Sequence, residues 1–167
     1  MIEPPVSDWV ARWAPLIERG PVLDVACGGG RHARYFLEKG FQVVAVDREA
    51  QVLPKEIHFV RANLEDGSPW PFTGRLFGGI VVTNYLHRPL FPHLAASLAE
   101  GGVLIYETFM AGNERFGKPS NPAFLLAPGE LWTAFGGLHI IAFGQGQSLQ
   151  PKPAMVQRLC ARRARNG

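Results

Sequence analysis

The sequence predicts an α/β fold built on a doubly wound, mainly parallel sheet, and three observations carry that reading. Apolar segments of strand length alternate with amphipathic helical segments, as βαβ units require. The first apolar segment runs straight into three glycines and a helix, Val22-Leu-Asp-Val-Ala-Cys-Gly-Gly-Gly-Arg-His-Ala33. The last two strands have only Gly144 to Pro153 between them. That is too short for a helical crossover, so they should close the sheet as an antiparallel hairpin.

The elements follow in order. Ser7 to Glu18 carries Val10, Trp13, Leu16 and Ile17 at helical spacing, with Ser7 placed to cap the helix. Pro21 to Cys27 is a short apolar strand. A helix from Arg31 to Lys39 follows the glycines and ends on Gly40. Phe41 to Val46 is an almost continuous apolar run, as a parallel strand covered on both faces needs, and Asp47 ends it. His58 to Arg61 is a third strand, Asn63 to Gly74 a loop, and Gly79 to Thr83 a fourth strand. Pro89 to Glu100 reads as a helix with Leu90, Leu94 and Leu98 on one face, stopped by Gly101-Gly102. Val103 to Phe109 is a fifth strand. Residues 110–129, with three prolines and three glycines, are irregular. A short helix, Glu130 to Phe135, leads to the hairpin strands Leu138–Phe143 and Met155–Ala161. No repeat or linker divides the chain, so residues 1–167 form one domain.

Composition removes several classes. An apolar share of 47% with 19% charged residues is a globular balance and not a disordered one. Two cysteines cannot make a disulfide framework, and no Cys-x-x-Cys pair is present. The opening Met-Ile-Glu-Pro-Pro lacks the basic and apolar parts of a secretory signal, and no run reaches the length of a membrane helix. The expected setting is the cytoplasm, without a membrane. The net charge of +3 selects no partner. The five histidines show no zinc spacing, so no metal is expected.

The glycine turn carries the chemistry. A strand that feeds a glycine turn and a helix N-terminus lets a ligand approach bare backbone. By itself Gly28-x-Gly30-x-x-Ala33 is also compatible with dinucleotide enzymes. Two carboxylates narrow the choice. Asp24 lies inside an apolar strand, where it needs a partner, and a ligand ammonium is a candidate. Asp47, 17 residues after Gly30, ends the second strand, where a carboxylate can accept from both ribose hydroxyls. A pyrophosphate along this turn would meet the charge of Asp24. The crevice therefore suits a ribose with a positively charged end.

These residues resemble the S-adenosylmethionine site of class I methyltransferases, and in particular their small tellurite-resistance-type group. The resemblance spans the glycine turn, Asp47, Asn63-Leu64, Thr83-Asn84-Tyr85-Leu86-His87 and the closing hairpin. It implies a Rossmann-like sheet of seven strands in the order 3-2-1-4-5-7-6 with strand 7 antiparallel. It implies S-adenosyl-L-methionine as cofactor and S-adenosyl-L-homocysteine as product. By that analogy Gly28 and Gly30 flank the methionine part, Asp24 supports its amino group and Arg31 pairs with its carboxylate. Asp47 holds the ribose, Asn63 and Leu64 meet the adenine, and Asn84 belongs to the same cofactor site. Two positions depart from the family pattern: Asn63 and Gly78 stand where Asp is common.

The acceptor is expected to be a small molecule, because residues 109–130 are the only stretch long enough to build a lid. Asn113 and Arg115 would then supply polar contacts. Beyond the fourth and fifth strands, Tyr85, His87, Tyr106 and Glu107 are the groups placed to assist transfer. His87 is the candidate base, since histidine titrates near neutral pH, and Tyr85 is the candidate for orienting the acceptor. Arg158 to Arg165 holds four arginines, which keeps RNA or protein acceptors as an alternative. A non-catalytic S-adenosylmethionine-binding module is a second alternative. The absence of an Asn-Pro-Pro-Tyr motif argues against methylation of nucleobase amines. The oligomeric state is left open.

Overall fold

The computed structural model describes residues 4–166. A seven-stranded sheet runs through the molecule in the order β3-β2-β1-β4-β5-β7-β6. Its strands are β1 Val22–Val25, β2 Val43–Asp47, β3 His58–Arg61, β4 Phe77–Thr83, β5 Leu98–Phe109, β6 His139–Ser148 and β7 Ala154–Arg162. The first five strands pair in parallel, and β7 pairs antiparallel with both β5 and β6. The strand order, the antiparallel strand and the closing hairpin match the expectation.

Alternation along the strands sorts the core into two layers. Leu23, Val25, Ile80, Val82 and Leu104 face one layer with Trp70, Phe72, Leu94 and Phe135. Helices α3 (Phe91–Ala96) and α4 (Glu130–Ala134) cover that face. Val22, Val43, Ala45, Val81 and Ile105 face the other layer with Val10, Ala33 and Phe36. These last three come from α1 (Asp8–Trp13) and α2 (Arg31–Glu38). Because helices lie on both faces, the central strands are apolar at nearly every position.

Two helices are shorter than the periodicity predicts. Helix α1 stops at Trp13, and Ala14–Leu16 tightens into a 3₁₀ turn; Pro15 has no N–H with which to continue the ladder. Ser7 caps the helix as expected, accepting from Val10 N–H. The predicted helix Pro89–Glu100 is a 3₁₀ turn at Arg88–Leu90 followed by α3, which ends at Ala96. Leu98 already belongs to β5, opposite Phe77. Leu94 and Leu98 are both buried in one core layer, so their four-residue spacing imitates a helix face. Gly101 and Gly102 do not stop a helix. A Cβ on Gly102 would lie 2.8 Å from the carbonyl oxygens of Phe77 and Ala99, so glycine lets β5 close against β4 where their register shifts. Gly78 is explained in the same way: a Cβ there would sit 1.7 Å from the Arg19 carbonyl oxygen.

The segment 110–129 is closed at its base. Leu126 N–H donates to Phe109 O and Ala111 N–H to Leu126 O, as in a compact surface loop whose ends meet. Among the described residues no helix is long and apolar enough to cross a membrane.

Candidate active site

Among the described residues, two that are not glycine have a positive φ, Ala26 at 55° and Asn84 at 54°. Such a conformation costs on the order of 1–3 kcal/mol and persists only where the surroundings impose it. Ala26 follows β1 and Asn84 follows β4, and these two strands are neighbours. Both residues open onto one cavity of about 540 Å³ at the carboxyl ends of the strands. Ligands of open α/β sheets bind at that edge.

Asp47, Asn63, Leu64 and Tyr85 wall this first cavity, and Phe124 of the 110–129 loop reaches it from across. Asp47 fastens the glycine turn. Its Oδ2 accepts Gly28 N–H at 2.8 Å, and its Oδ1 accepts Glu49 N–H at 2.9 Å. A carboxylate has about four acceptor positions, so each oxygen can take a further donor. Asn63 Oδ1 accepts Glu65 N–H at 2.9 Å. A Cβ on Gly28 would meet nothing within 4 Å, whereas one on Gly30 would strike Leu53 Cδ2 at 2.4 Å. Gly28 therefore leaves open space above the turn, and Gly30 lets the turn pack.

Behind the turn, Asp24 and His32 are both 2% exposed. Asp24 was expected to need a ligand cation, but the chain supplies its partner: Oδ2 accepts Ala33 N–H at 3.0 Å from the first turn of α2. Burial still dominates and pushes this carboxyl up to about 7, against the Ala33 hydrogen bond and the charge of Arg31. Asp24 does not wall this cavity. His32 accepts Ser7 N–H on Nε2 at 3.1 Å, and Thr83 Oγ1 lies 3.4 Å from its Nδ1. Burial lowers it to about 4, so the ring is neutral and structural.

A second cavity of about 360 Å³ adjoins the first. Its walls are the segment Pro5–Asp8, Arg31, Glu107 and the hairpin end from Ser148 to Arg158, and the two cavities share Asn84 and Phe109. Arg31 was expected at the cofactor. It lines this second cavity, where it donates to the Pro5 carbonyl at 2.8 Å. Glu107 also belongs here, but both its oxygens are committed. One accepts the Ser7 hydroxyl at 2.7 Å and the other is paired with Arg158.

A family profile described as a methyltransferase domain matches residues 2–125. The chain belongs to this methyltransferase family. Its sheet has the class I methyltransferase order, and solved structures share it. TehB from Haemophilus influenzae superposes with a TM-score of 0.76 at 16% identity, over 95% of this chain and 62% of that one. This chain thus spans less than two-thirds of TehB. The 1,6-didemethyltoxoflavin-N1-methyltransferase of Burkholderia thailandensis gives 0.67 at 20% identity, over 93% and 76% of the two chains. Magnesium protoporphyrin IX methyltransferase of Synechocystis PCC 6803 gives 0.65 at 16% identity, over 93% and 79%. A search of curated proteins finds no match. At these identities the structural likeness is one of fold.

In this member of the methyltransferase family the other expected site residues are dispersed. Tyr85 walls the first cavity and donates its hydroxyl to Glu65 Oε2 at 3.0 Å; burial and that hydrogen bond push its phenol well above the ordinary range. His87 lines a third cavity of about 280 Å³ with Trp70 and His93, which shares Leu64 and Glu65 with the first, and its Nδ1 lies 3.7 Å from Glu65 Oε1. Tyr106 was expected beside the acceptor, but it is a core residue, 1% exposed, whose hydroxyl donates to Tyr85 O at 2.8 Å. Asn113 was expected to contact the acceptor and is instead a buried staple. It donates to Pro119 O at 2.9 Å and accepts Met155 N–H at 3.0 Å. Arg115 is exposed, bonds Gly112 O and lies over the Phe116 ring. The expected lid is tied down further by Arg88, which pairs with both oxygens of Glu130 and donates to Ala123 O and Leu125 O. Sequence reasoning missed Glu65, in a turn after β3, and Arg88, which opens a short 3₁₀ turn; neither position carries a periodic signal. Ser7 was read only as a helix cap.

Proposed function

We propose that this methyltransferase is S-adenosylmethionine-dependent and acts on a small-molecule acceptor. The observation that carries the reading is the meeting of two cavities at Asn84 and Phe109, beyond the ends of β4 and β5. The residues of the first cavity fit a nucleoside. The spare acceptor positions of Asp47 suit a ribose, and Asn63 with the Leu64 backbone suits the adenine edge. The open space above Gly28 admits a chain running toward Asn84. The didemethyltoxoflavin and magnesium protoporphyrin IX methyltransferases above were crystallised with S-adenosylhomocysteine, which supports the same cofactor here. When bound, the cofactor supplies a methyl group on a sulfonium, already an activated leaving group.

This chain's residues mainly position the reactants. Asn84 and Phe109 fix the aperture between the cavities, and Pro119 and Phe124 close the first cavity from above. Holding acceptor and methyl in line can supply about 7–11 kcal/mol of the barrier. Small-molecule acceptors are favoured by what the arginine tail does. Arg158 pairs with Glu107, Arg162 donates to Leu16 O, Arg163 to Leu98 O, and Arg165 pairs with Glu18. All four are held against their own protein, and carboxylates already answer the charges of Arg158 and Arg165, which leaves RNA only part of the run to bind. Both cysteines are free, in keeping with a cytoplasmic setting. Calorimetry with S-adenosylmethionine, S-adenosylhomocysteine and NADH tests the reading. The first two should bind and NADH should not, and the opposite pattern would sink it.

A further inference from the structure

The second cavity has apolar walls of Val6, Phe109, Ala154 and Val156 with an unequal set of charges around them. Arg31, Lys152 and Arg158 face Asp8 and Glu107. Arg158 and Glu107 neutralise one another. Arg31 is held by a carbonyl, which leaves its charge intact. Asp8 stands in the first turn of α1, where helix amides answer a negative charge. A positive excess therefore remains at Arg31 and Lys152.

Proton acceptors inside the same space are engaged or turned away. Both Glu107 oxygens are taken by Ser7 and Arg158. His32 is buried with both ring nitrogens engaged, His87 lines another cavity, and the Tyr106 hydroxyl is turned into the core. Among the described residues only Asp8, at the exposed rim, offers the cavity an uncommitted carboxylate.

Resting on the methyl-transfer reading above, we infer that the acceptor enters this cavity as an anion, its nucleophile ionised in solvent and held by Lys152 and Arg31. Acidic thiols, acidic phenols and oxyacids are the chemical class that meets this condition. The acceptor's lone pair forms the bond to the methyl carbon while the carbon–sulfur pair returns to sulfur. The proton was left in solvent beforehand, so no side chain receives one. Anion and sulfonium cancel in this step, and a site with apolar walls favours loss of charge over a watery one.

The test has a binding arm and a rate arm. S-adenosylhomocysteine is titrated first; failure to bind refutes the cofactor reading and is seen separately. Benzoate, benzamide and benzylamine are then titrated into the saturated protein. Benzoate should bind about tenfold or more tightly than the other two, as a charge-assisted contact allows. Lys152→Gln should remove that preference, Lys152→Arg should keep it, and neither should change S-adenosylhomocysteine affinity. Equal binding, preference for benzylamine, or no binding of any probe overturns the inference. In the rate arm, kcat/KM for 4-nitrothiophenol and benzyl mercaptan is followed against pH. The midpoint should move with each thiol's own pKa. A midpoint common to both thiols would mean that the protein supplies a base, and the inference would be wrong.

Discussion

Replacing Asp24 with Asn separates the cost of a buried charge from everything else in the glycine turn. The carboxyl is pushed from 3.8 to about 7, a difference worth about 4 kcal/mol at 1.36 kcal/mol per unit. Below pH 4 the group is protonated in folded and unfolded chains alike, and it costs nothing. Between pH 4 and 7 the folded protein keeps the proton that the unfolded chain gives up, so stability falls as pH rises. Above pH 7 both forms are ionised and the full penalty of about 4 kcal/mol stands. Asn keeps the carbonyl oxygen that accepts Ala33 N–H and cannot ionise. Its buried NH₂ adds a cost of about 1–3 kcal/mol that does not vary with pH. Urea denaturation of both proteins from about pH 4.5 to about 8.5 isolates the slope from that offset. The variant should gain on the wild type by about 3 kcal/mol across the range, because about 1 kcal/mol of the penalty is already present at the acid end. A gap that stays constant with pH would show Asp24 ionised in its ordinary range, and the burial argument would fail.

Three further outcomes are expected. Asp47→Ala frees Gly28 N–H and removes the ribose acceptor, so calorimetry should show S-adenosylhomocysteine binding weakened about tenfold or more; undiminished affinity would take the ribose away from Asp47. Arg88→Ala releases Glu130 and the carbonyls of Ala123 and Leu125, so amides of residues 110–129 should exchange faster. Because Arg88 is partly exposed, the global stability loss should stay near about 1 kcal/mol. Unchanged exchange would mean that Asn113 and Gln157, whose Nε2 donates to Ala127 O at 2.9 Å, hold the loop unaided. His87→Ala should leave turnover within about twofold, because His87 faces the Trp70 cavity. A general base is worth about 10²–10⁴-fold, and a loss of that size would restore His87 to the chemistry.

The sheet was legible because parallel strands covered on both faces must be almost wholly apolar, as Val43–Val46 is and as Val22–Val25 is except at Asp24. The glycine turn was legible because backbone constraint leaves a mark in residue type. Gly30 packs on Leu53, and Gly78 passes the Arg19 carbonyl. What could not be read was where side chains turn after the strands end. Asn84, Tyr85, Leu86 and His87 are consecutive, yet they go to the seam, the first cavity, the core and a third cavity. The positive φ at Asn84 breaks the alternation that would have predicted their faces. Hydrogen-bond partners distant in sequence were equally hidden. Tyr106 looked available until its hydroxyl was found on Tyr85 O, and Asn113 until its amide was found spanning Pro119 and Met155. Polar residues near a ligand-binding edge are as often the frame of the site as its working groups.

The first turn of α2 shows how that frame is economised. Three consecutive residues reach three different elements. Arg31 holds Pro5, His32 holds Ser7 and lies against Thr83, and Ala33 holds Asp24. Ser7 in turn caps α1 and bonds Glu107, which fixes Arg158 of the hairpin. The glycine turn and the wall of the second cavity thus hang on one helical turn. Helix N-terminal amides without ladder partners need acceptors in any case, and here Asp24 supplies one. The left-handed Gly30 sets the angle at which this turn leaves β1. A side chain at Gly30 would have to displace Leu53 and tilt α2, shifting Pro5 and Ser7 with it. Disturbance of the first cavity's floor would therefore reach the second cavity through covalent neighbours, without any mobile lid to carry it.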